Sequence, residues 1–291
     1  MESIVQQLIF GLSVGSTYAL IALAITLVFR GMDLINFSQG EFFMSGAFLG
    51  YVFHVDLGLS MWLALPLSMV SAFVLGSLVE RIFLRKLEHN ANSFSLLVMT
   101  IALFIILRSV AQLIFGSSAY RFPVMTDAII RFGGIQISAQ YVIVIVTTMI
   151  IMLLLYVLFT KTALGLSLRA VAQDKTTARM MGINVSRVNN MTFGLCSVLG
   201  AVAGVVYAPV AVLSFDMGQL IMLKGFTAAL LGGLGLVSGA VLGGALLGVI
   251  EQFGTLLLSS AYKDLVSFSI LLLIILVKPN GLLGKKQIQK V

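Results

Sequence analysis

Apolar runs of bilayer length alternate with short polar breaks along almost the whole chain. A hydrocarbon core about 30 Å thick takes about 20 helical residues to cross. Residues 4–29 meet that length and predict a first span, which Arg30-Gly31-Met32-Asp33 breaks. Residues 36–54 follow, polar at their start (Asn36, Ser38, Gln39, Gly40, Glu41) and apolar afterwards. Residues 61–79, 95–115 and 141–159 predict further spans, with a basic turn at Arg81, Arg85 and Lys86 and a longer loop over 116–139. In the second half, residues 188–213 are rich in Gly and Ala, and 219–231 are short for a crossing and contain Lys224. Residues 238–250 carry a glycine run before Glu251, and 265–277 form the last apolar run. Eight or nine crossings result, because 219–251 reads either as two short spans or as a re-entrant pair.

The longest polar interruption is residues 161–187, KTALGLSLRAVAQDKTTARMMGINVSR. Leu168, Val171 and Ala172 share one helical face, with Arg169 and Gln173 elsewhere. Asp174 stands where an N-cap belongs, its carboxylate free to accept from N–H groups two or three residues on. Helix-compatible residues follow, and Gly182 can supply the left-handed position that ends a helix. Two short helices, or one bent one, are predicted. On charge alone, Lys161, Arg169, Lys175, Arg179 and Arg187 against Asp174 read as a solvated loop that fixes topology. The caps also make it long enough to present a helix to something in the cytosol.

Composition then sets the class. At 59% hydrophobic and 10% charged residues, with a mean hydropathy of +1.10, the chain is no soluble globular protein. Its net charge of +7 is scattered between apolar runs with no aromatic-interleaved basic surface, so nucleic acid is not an expected partner, whereas membrane lipid is. Arg30, the turn at Arg81–Lys86, the 161–187 segment and the tail from Lys278 gather most of the 18 Lys and Arg on one side. That side is expected to be cytoplasmic, which puts the N-terminus outside, the C-terminus inside, and favours nine crossings. No cleavable signal peptide is evident, since Glu2 is acidic and the apolar run continues to Phe29. Cys196 has no partner for a disulfide or a metal site and reads as a small buried residue. His54 and His89 lack ligand spacing, so no metal or cofactor is expected, and no phosphate-binding Gly-x4-Gly-Lys-Ser/Thr loop is present. Any ATP-driven work would need another chain.

A faint internal repeat runs through the two halves. Phe10-Gly11-Leu12 recurs as Phe193-Gly194-Leu195, and Phe37-x2-Gly40-x3-Met44 as Phe215-x2-Gly218-x3-Met222, with Glu41 matched by Gln219. The expected topology inverts the second copy, a transporter plan with broken helices beside the pathway. Ionisable residues inside apolar runs are costly and mark function by default. They are Glu41, Arg108, Lys224 and Glu251. Arg108 and Glu251, near span ends, are expected to reach the surface. Glu41 and Lys224, with Asn36 and Gln39, are pathway or gate candidates, and the bland alternative is that Glu41 and Lys224 pair or satisfy broken backbone.

Three stretches together resemble the LivH-type permease subunits of branched-chain amino acid ABC importers. They are Gly15-Ser16-Thr17-Tyr18-Ala19-Leu20 running on to Asn36-Phe37-Ser38-Gln39-Gly40-Glu41-Phe42-Phe43-Met44; Arg169-Ala170-x-Ala172-x-Asp174-x3-Ala178-x3-Gly182-Ile183-Asn184; and Lys224-Gly225-Phe226-Thr227 through Gly232-Gly233-Leu234-Gly235 to Gly248-x2-Glu251. One departure is Leu236-Val237, where these permeases often have Ser followed by Ile or Val. The resemblance implies an all-α polytopic membrane protein, a single permease domain. Its halves are 1–160 and 188–291, joined by a cytoplasmic coupling segment, 161–187, that docks on an ATPase. Small residues at Ala172, Ala178 and Gly182 would allow close approach there, while Arg169, Asp174 and Arg179 set register. Implied partners are a second, LivM-type permease, two cytoplasmic ATP-binding subunits and a periplasmic substrate-binding protein, all at a bacterial inner membrane. Glu251 joins Asn36, Gln39, Glu41 and Lys224 as a pathway candidate. Without the resemblance, the residues also admit an ion-coupled secondary transporter with Glu41 or Glu251 as the titrating carboxylate.

Overall fold

The computed structural model describes residues 2–88, 93–132, 135–257 and 259–284, and helices carry most of them. The first half holds α1 (Glu2–Met32), α2 (Gln39–Tyr51), α3 (Met61–Val79), α4 (Arg85–Glu88), α5 (Ser93–Phe115) and α6 (Ala139–Lys161). A π-helical stretch, Val52–Asp56, prolongs α2, and another, Glu80–Leu84, joins α3 to α4. Two short helices follow, α7 (Ala163–Gln173) and α8 (Lys175–Met180). The second half holds α9 (Val185–Tyr207), α10 (Met217–Gly232), α11 (Val237–Leu257) and α12 (Lys263–Val277). Among the described residues six helical stretches are long and apolar enough to cross a membrane: Ile4–Met32, Met61–Leu87, Phe94–Phe115, Ala139–Lys161, Val185–Tyr207 and Val237–Leu257. The apolar helices α2, α10 and α12 are shorter, at 13, 16 and 15 residues. The chain is a mostly helical, multi-pass membrane protein.

One part is not helical. The 116–139 loop carries an antiparallel hairpin of β1 (Ile129–Phe132) and β2 (Ile135–Ser138), with Ile129 opposite Ser138 and Ile130 opposite Ile137. An all-α reading missed it because four-residue strands leave almost no periodic signal. Their β-branched isoleucines are the one local hint.

Contacts at each end of α1 orient the bundle. Gln6 Nε2 donates to Gln136 O in β2 (3.1 Å), and Lys175 Nζ in α8 donates to Met32 O (3.0 Å). The hairpin and the α7–α8 segment therefore lie at opposite ends. Arg85 Nη2 reaches Ser186 O (3.4 Å), which puts the basic turn after α3 at the α8 end. Leu282 N donates to Leu231 O (2.8 Å), and Gly235 lies beside Phe29 and Arg30, so the residues after α12 sit there too. α9 leaves α8 and leads to Leu213, which exchanges backbone hydrogen bonds with Tyr120 on the hairpin side. α1 and α9 thus run in opposite directions.

Backbone proximity, not bulk, holds the centre. Helices in lipid gain little from apolar burial and associate through close packing. Gly11 and Gly15 of α1 lie against Gly248 and Gly244 of α11, where a Cβ would collide with facing backbone. Gly76 of α3 leaves room in turn for the Ser197 side chain of α9. Buried Tyr18, Ile21 and Ile25 place α1 in the core beside α9, whereas Trp62 of α3, Leu113 of α5 and Met149 of α6 point outward at 89%, 85% and 65% exposure. That outward apolar surface is what a lipid-facing wall requires.

Candidate functional site

The half-length helices meet inside the bundle. After α1 the chain turns at Asn36, whose Oδ1 accepts from Ser38 N (3.1 Å) and Ser38 Oγ (2.7 Å), and α2 begins at Gln39. The matching turn before α10 has Ser214 Oγ donating to Asp216 Oδ1 (2.6 Å). Gly40 and Gly218, each the second residue of its helix, lie backbone to backbone with no room for a Cβ on either. From there α2 leads to Tyr51, packed on Tyr120 and Phe122 at the hairpin side, while α10 leads to Leu231 at the α8 end. Two short helices that start side by side and leave toward opposite ends must start in the interior.

Polar groups crowd this junction. Gln39 Nε2 donates to Cys196 O (2.8 Å) and Asn36 Nδ2 to Gln39 Oε1 (3.5 Å), so both amides serve local structure. Cys196 itself is buried. Glu41 is fully buried, and neither carboxylate oxygen has a hydrogen-bond partner among the described residues. The charges that act on it through space are Arg108 and Asp216. Arg108 does not simply reach the surface as its position predicts. It turns onto α10, donating from Nη1 to Gln219 Oε1 (2.9 Å), with its guanidinium 5.4 Å over the Phe215 ring.

A second charged centre lies between α1, α10, α11 and α12. Glu251 Oε1 is 3.0 Å from Lys224 Nζ and 3.0 Å from Lys263 Nζ, and accepts from Tyr18 OH at 3.0 Å; its Oε2 accepts from Ser267 Oγ at 2.6 Å. Lys224 also holds Asp264 Oδ1 at 2.8 Å and lies 5.7 Å over the Tyr18 ring. One expectation and one alternative fall here. Glu251 is 1% exposed and well inside α11, not at a membrane surface, and Lys224 pairs with it and with Asp264, not with Glu41. The physical reason is compensation, since two lysines and two acids neutralise one another and donors occupy the remaining lone pairs. Lys263, Asp264, Ser267 and Tyr18 escape a reading of the sequence, although a Lys-Asp pair just ahead of an apolar run is a signal that could have raised them.

At the basic end, the α7–α8 segment is built from caps. Thr162 Oγ1 accepts from Gly165 N (3.1 Å) to start α7, and Asp174 Oδ1 accepts from Thr177 N (2.7 Å) to start α8. That backbone hydrogen bond holds the Asp174 carboxyl below its ordinary pKa. Gly182 (φ +81°) ends α8: Gly182 N bonds Arg179 O and Ile183 N bonds Ala178 O, each at 3.0 Å, the paired closure of a Schellman motif. Asn184 then caps α9 through Arg187 N (3.0 Å). Leu168, Val171, Ala178, Val185 and Val188 form a small core under the segment. Ala178 therefore faces inward and leaves no space for a partner, contrary to expectation, while Arg169, Arg179, Met180 and Met181 face out. Met180 and Met181 are 81% and 78% exposed and were not foreseen. Half-buried Ala172 lines a cavity of about 550 Å³ with Leu27, Arg30, Phe159 and Val237, which separates α7 from α1, α6 and α11. His54 Nδ1 lies 2.8 Å from Leu59 O, and His89 falls outside the described residues.

The family model described as branched-chain amino acid transport system / permease component matches residues 7–275. The chain belongs to that family. This permease is 35% identical to the high-affinity branched-chain amino acid transport system permease protein BraD of Pseudomonas aeruginosa, over 98% of this chain and 97% of the relative. It is 33% identical to the corresponding protein LivH of Escherichia coli K12, with the same coverage of each chain. The solved structure of PsaBC from Streptococcus pneumoniae in complex with Fab has a similar fold, with a TM-score of 0.50 at 19% identity over 94% of this permease and 91% of that chain.

Proposed function

We propose that this permease is the membrane-spanning subunit of an ATP-driven importer that moves branched-chain or related amino acids across the bacterial inner membrane. One observation carries the reading. A family member with a full-length match presents, at its basic end, a rigidly capped pair of helices with outward Arg169, Arg179, Met180 and Met181. Such a surface suits an ATPase groove, with Asp174 and Gly182 holding its shape. The partners are a LivM-type second permease, two ATP-binding subunits and a periplasmic binding protein. The basic end is the cytoplasmic one, so the N-terminus is periplasmic and the C-terminus cytoplasmic.

The inverted repeat is supported by which helices touch. Exchanging α1 with α9 and α3 with α11 turns the α1–α11 contact into the α9–α3 contact, and α2 meets α10 through the matched pair Gly40 and Gly218. In this reading α2 and α10 line the pathway with Glu41 at their junction, and nine helices cross. Lys224 and Glu251 clamp the second half and do not touch the cargo. Selection resides mainly in the binding protein.

Single cysteines from Gly165 to Gly182, on a Cys196→Ser background with the ATPase subunits present, test the docking. ATP-sensitive crosslinks at Arg169, Arg179, Met180 and Met181 are the expected result. Uptake that proceeds without any ATPase, with no crosslink in the segment, overturns it and returns Glu41 to the ion-coupled reading.

A further inference from the structure

Glu41 poses a physical problem that the scaffold around it does not solve. A carboxylate removed from water and left without hydrogen bonds is strongly disfavoured unless something compensates it. Among the described residues no side chain within ion-pair distance does so. Arg108 has the complementary surplus. Its guanidinium carries five N–H donors, yet it donates to the neutral amide of Gln219 and, among the described residues, faces no carboxylate within ion-pair distance.

The repeat makes this asymmetry meaningful. Gly40 and Gly218 are matched and touch, but the residue after each differs: Glu41 places a carboxyl group on α2, and Gln219 holds a guanidinium, that of Arg108, over α10. A near-symmetric scaffold therefore sets an acid on one side of its centre and a base on the other. The first turns of α2 and α10 add positive partial charge. Asp216, on the exposed side, opposes it, but its Oδ1 is already engaged by Ser214.

We propose that Glu41 and Arg108 are the two poles of a transient site for a zwitterionic α-amino acid, Glu41 receiving the ammonium group and Arg108 the carboxylate. This rests on the import reading above. Here the site is shut, because Gly218 lies over the Glu41 carboxylate. The two helices touch at this point through bare glycine backbone, so their first turns can part without unlocking interdigitated side chains. Opening exposes Glu41 beside the already half-exposed Arg108, and a molecule carrying both charges a few bonds apart spans them. A neutral solute gains nothing from either.

The whole complex, with its binding protein and ATPases in proteoliposomes, is the system to test, using leucine at saturating binding protein and measuring uptake and ATP hydrolysis in the same vesicles. Glu41→Gln and Arg108→Gln should each lower leucine moved per ATP by tenfold or more, with hydrolysis within twofold and melting temperature held. Glu41→Asp and Arg108→Lys should recover part of the loss. Unchanged leucine per ATP in both neutral variants overturns the proposal. So does a joint fall of uptake, hydrolysis and melting temperature in all four, which would make the pair structural. Failure of the unaltered complex to couple leucine uptake to ATP is a different result and removes the import reading itself.

Discussion

Glu41 and Glu251 are the same residue at nearly the same burial, 0% and 1% exposed, and their surroundings are opposite. Glu251 is surrounded by two lysines, a tyrosine and a serine that arrive from three other helices. Glu41 has no hydrogen-bonding partner among the described residues and a glycine pressed over it. Burial alone therefore does not tell the two glutamates apart; the supply of donors does. In lipid this matters more than in water, because no solvent is available to finish an incomplete set.

The largest effect should come from breaking the clamp. Glu251→Ala leaves Lys224 and Lys263 facing each other with Asp264 as the remaining acid, and a buried pair that loses one partner costs about 3–5 kcal/mol. A large fall in the melting temperature of the purified permease in detergent, with loss of assembled complex, is the expected outcome. Glu41→Gln in the same assay should melt no lower than the parent, since it removes a buried acid that no donor supports. A comparable drop in both variants would erase the distinction between the two glutamates.

Next comes the glycine pair. Gly218→Ala puts a methyl group into the Gly40 carbonyl and the Glu41 carboxylate, and overpacking of this kind costs about 1–3 kcal/mol. The added carbon separates α2 from α10 where the pathway is proposed to open. Accessibility of a cysteine at Gln39 to a small thiol reagent, on a Cys196→Ser background, should rise. An unchanged labelling rate would mean that the two first turns are not what seals Glu41.

Capping of α8 responds to pH. The Asp174 carboxyl is held below its ordinary value by its bond from Thr177 N–H. The cap is therefore fully present above the ordinary aspartate range, and it is lost as pH falls through the lowered folded value. ATP-sensitive crosslinking of the segment should weaken only in that acid window, and Asp174→Asn, which caps without titrating, should remove the pH dependence while keeping the crosslink. A pH response that survives Asp174→Asn would place the titrating group elsewhere.

What the sequence disclosed follows the range of the forces involved. The extent of α3, the Asp174 cap and the Gly182 stop are set by neighbours a few positions away, and each is legible locally. The pattern stopped α11 at Glu251 because a glutamate looks like a boundary, yet the helix runs on to Leu257, since Lys224 and Lys263 arrive from elsewhere to neutralise it. It carried α9 to Leu213, but the chain breaks at Tyr207 because Leu213 is taken by Tyr120 in a backbone bridge. Arg108 and Glu41 were visible as residues; that they face one junction is a fact of topology, and no local pattern encodes it.

The smallest predicted effect concerns a place where the chain departs from the resemblance. Leu236 immediately precedes α11, and its carbonyl accepts the first helical bond, from Ala240 N at 2.9 Å. It is thus the N-cap, and leucine offers no side-chain acceptor to the free N–H groups of the first turn. Serine would, so Leu236→Ser should stabilise α11 by about 0.5–1 kcal/mol, less whatever contact Leu236 gives to the cavity it lines. A modest rise in melting temperature with transport unchanged is expected. A fall would show that filling the space between α1, α7 and α11 matters more here than the cap, and that the basic end is tuned for packing against α7 and not for the start of α11.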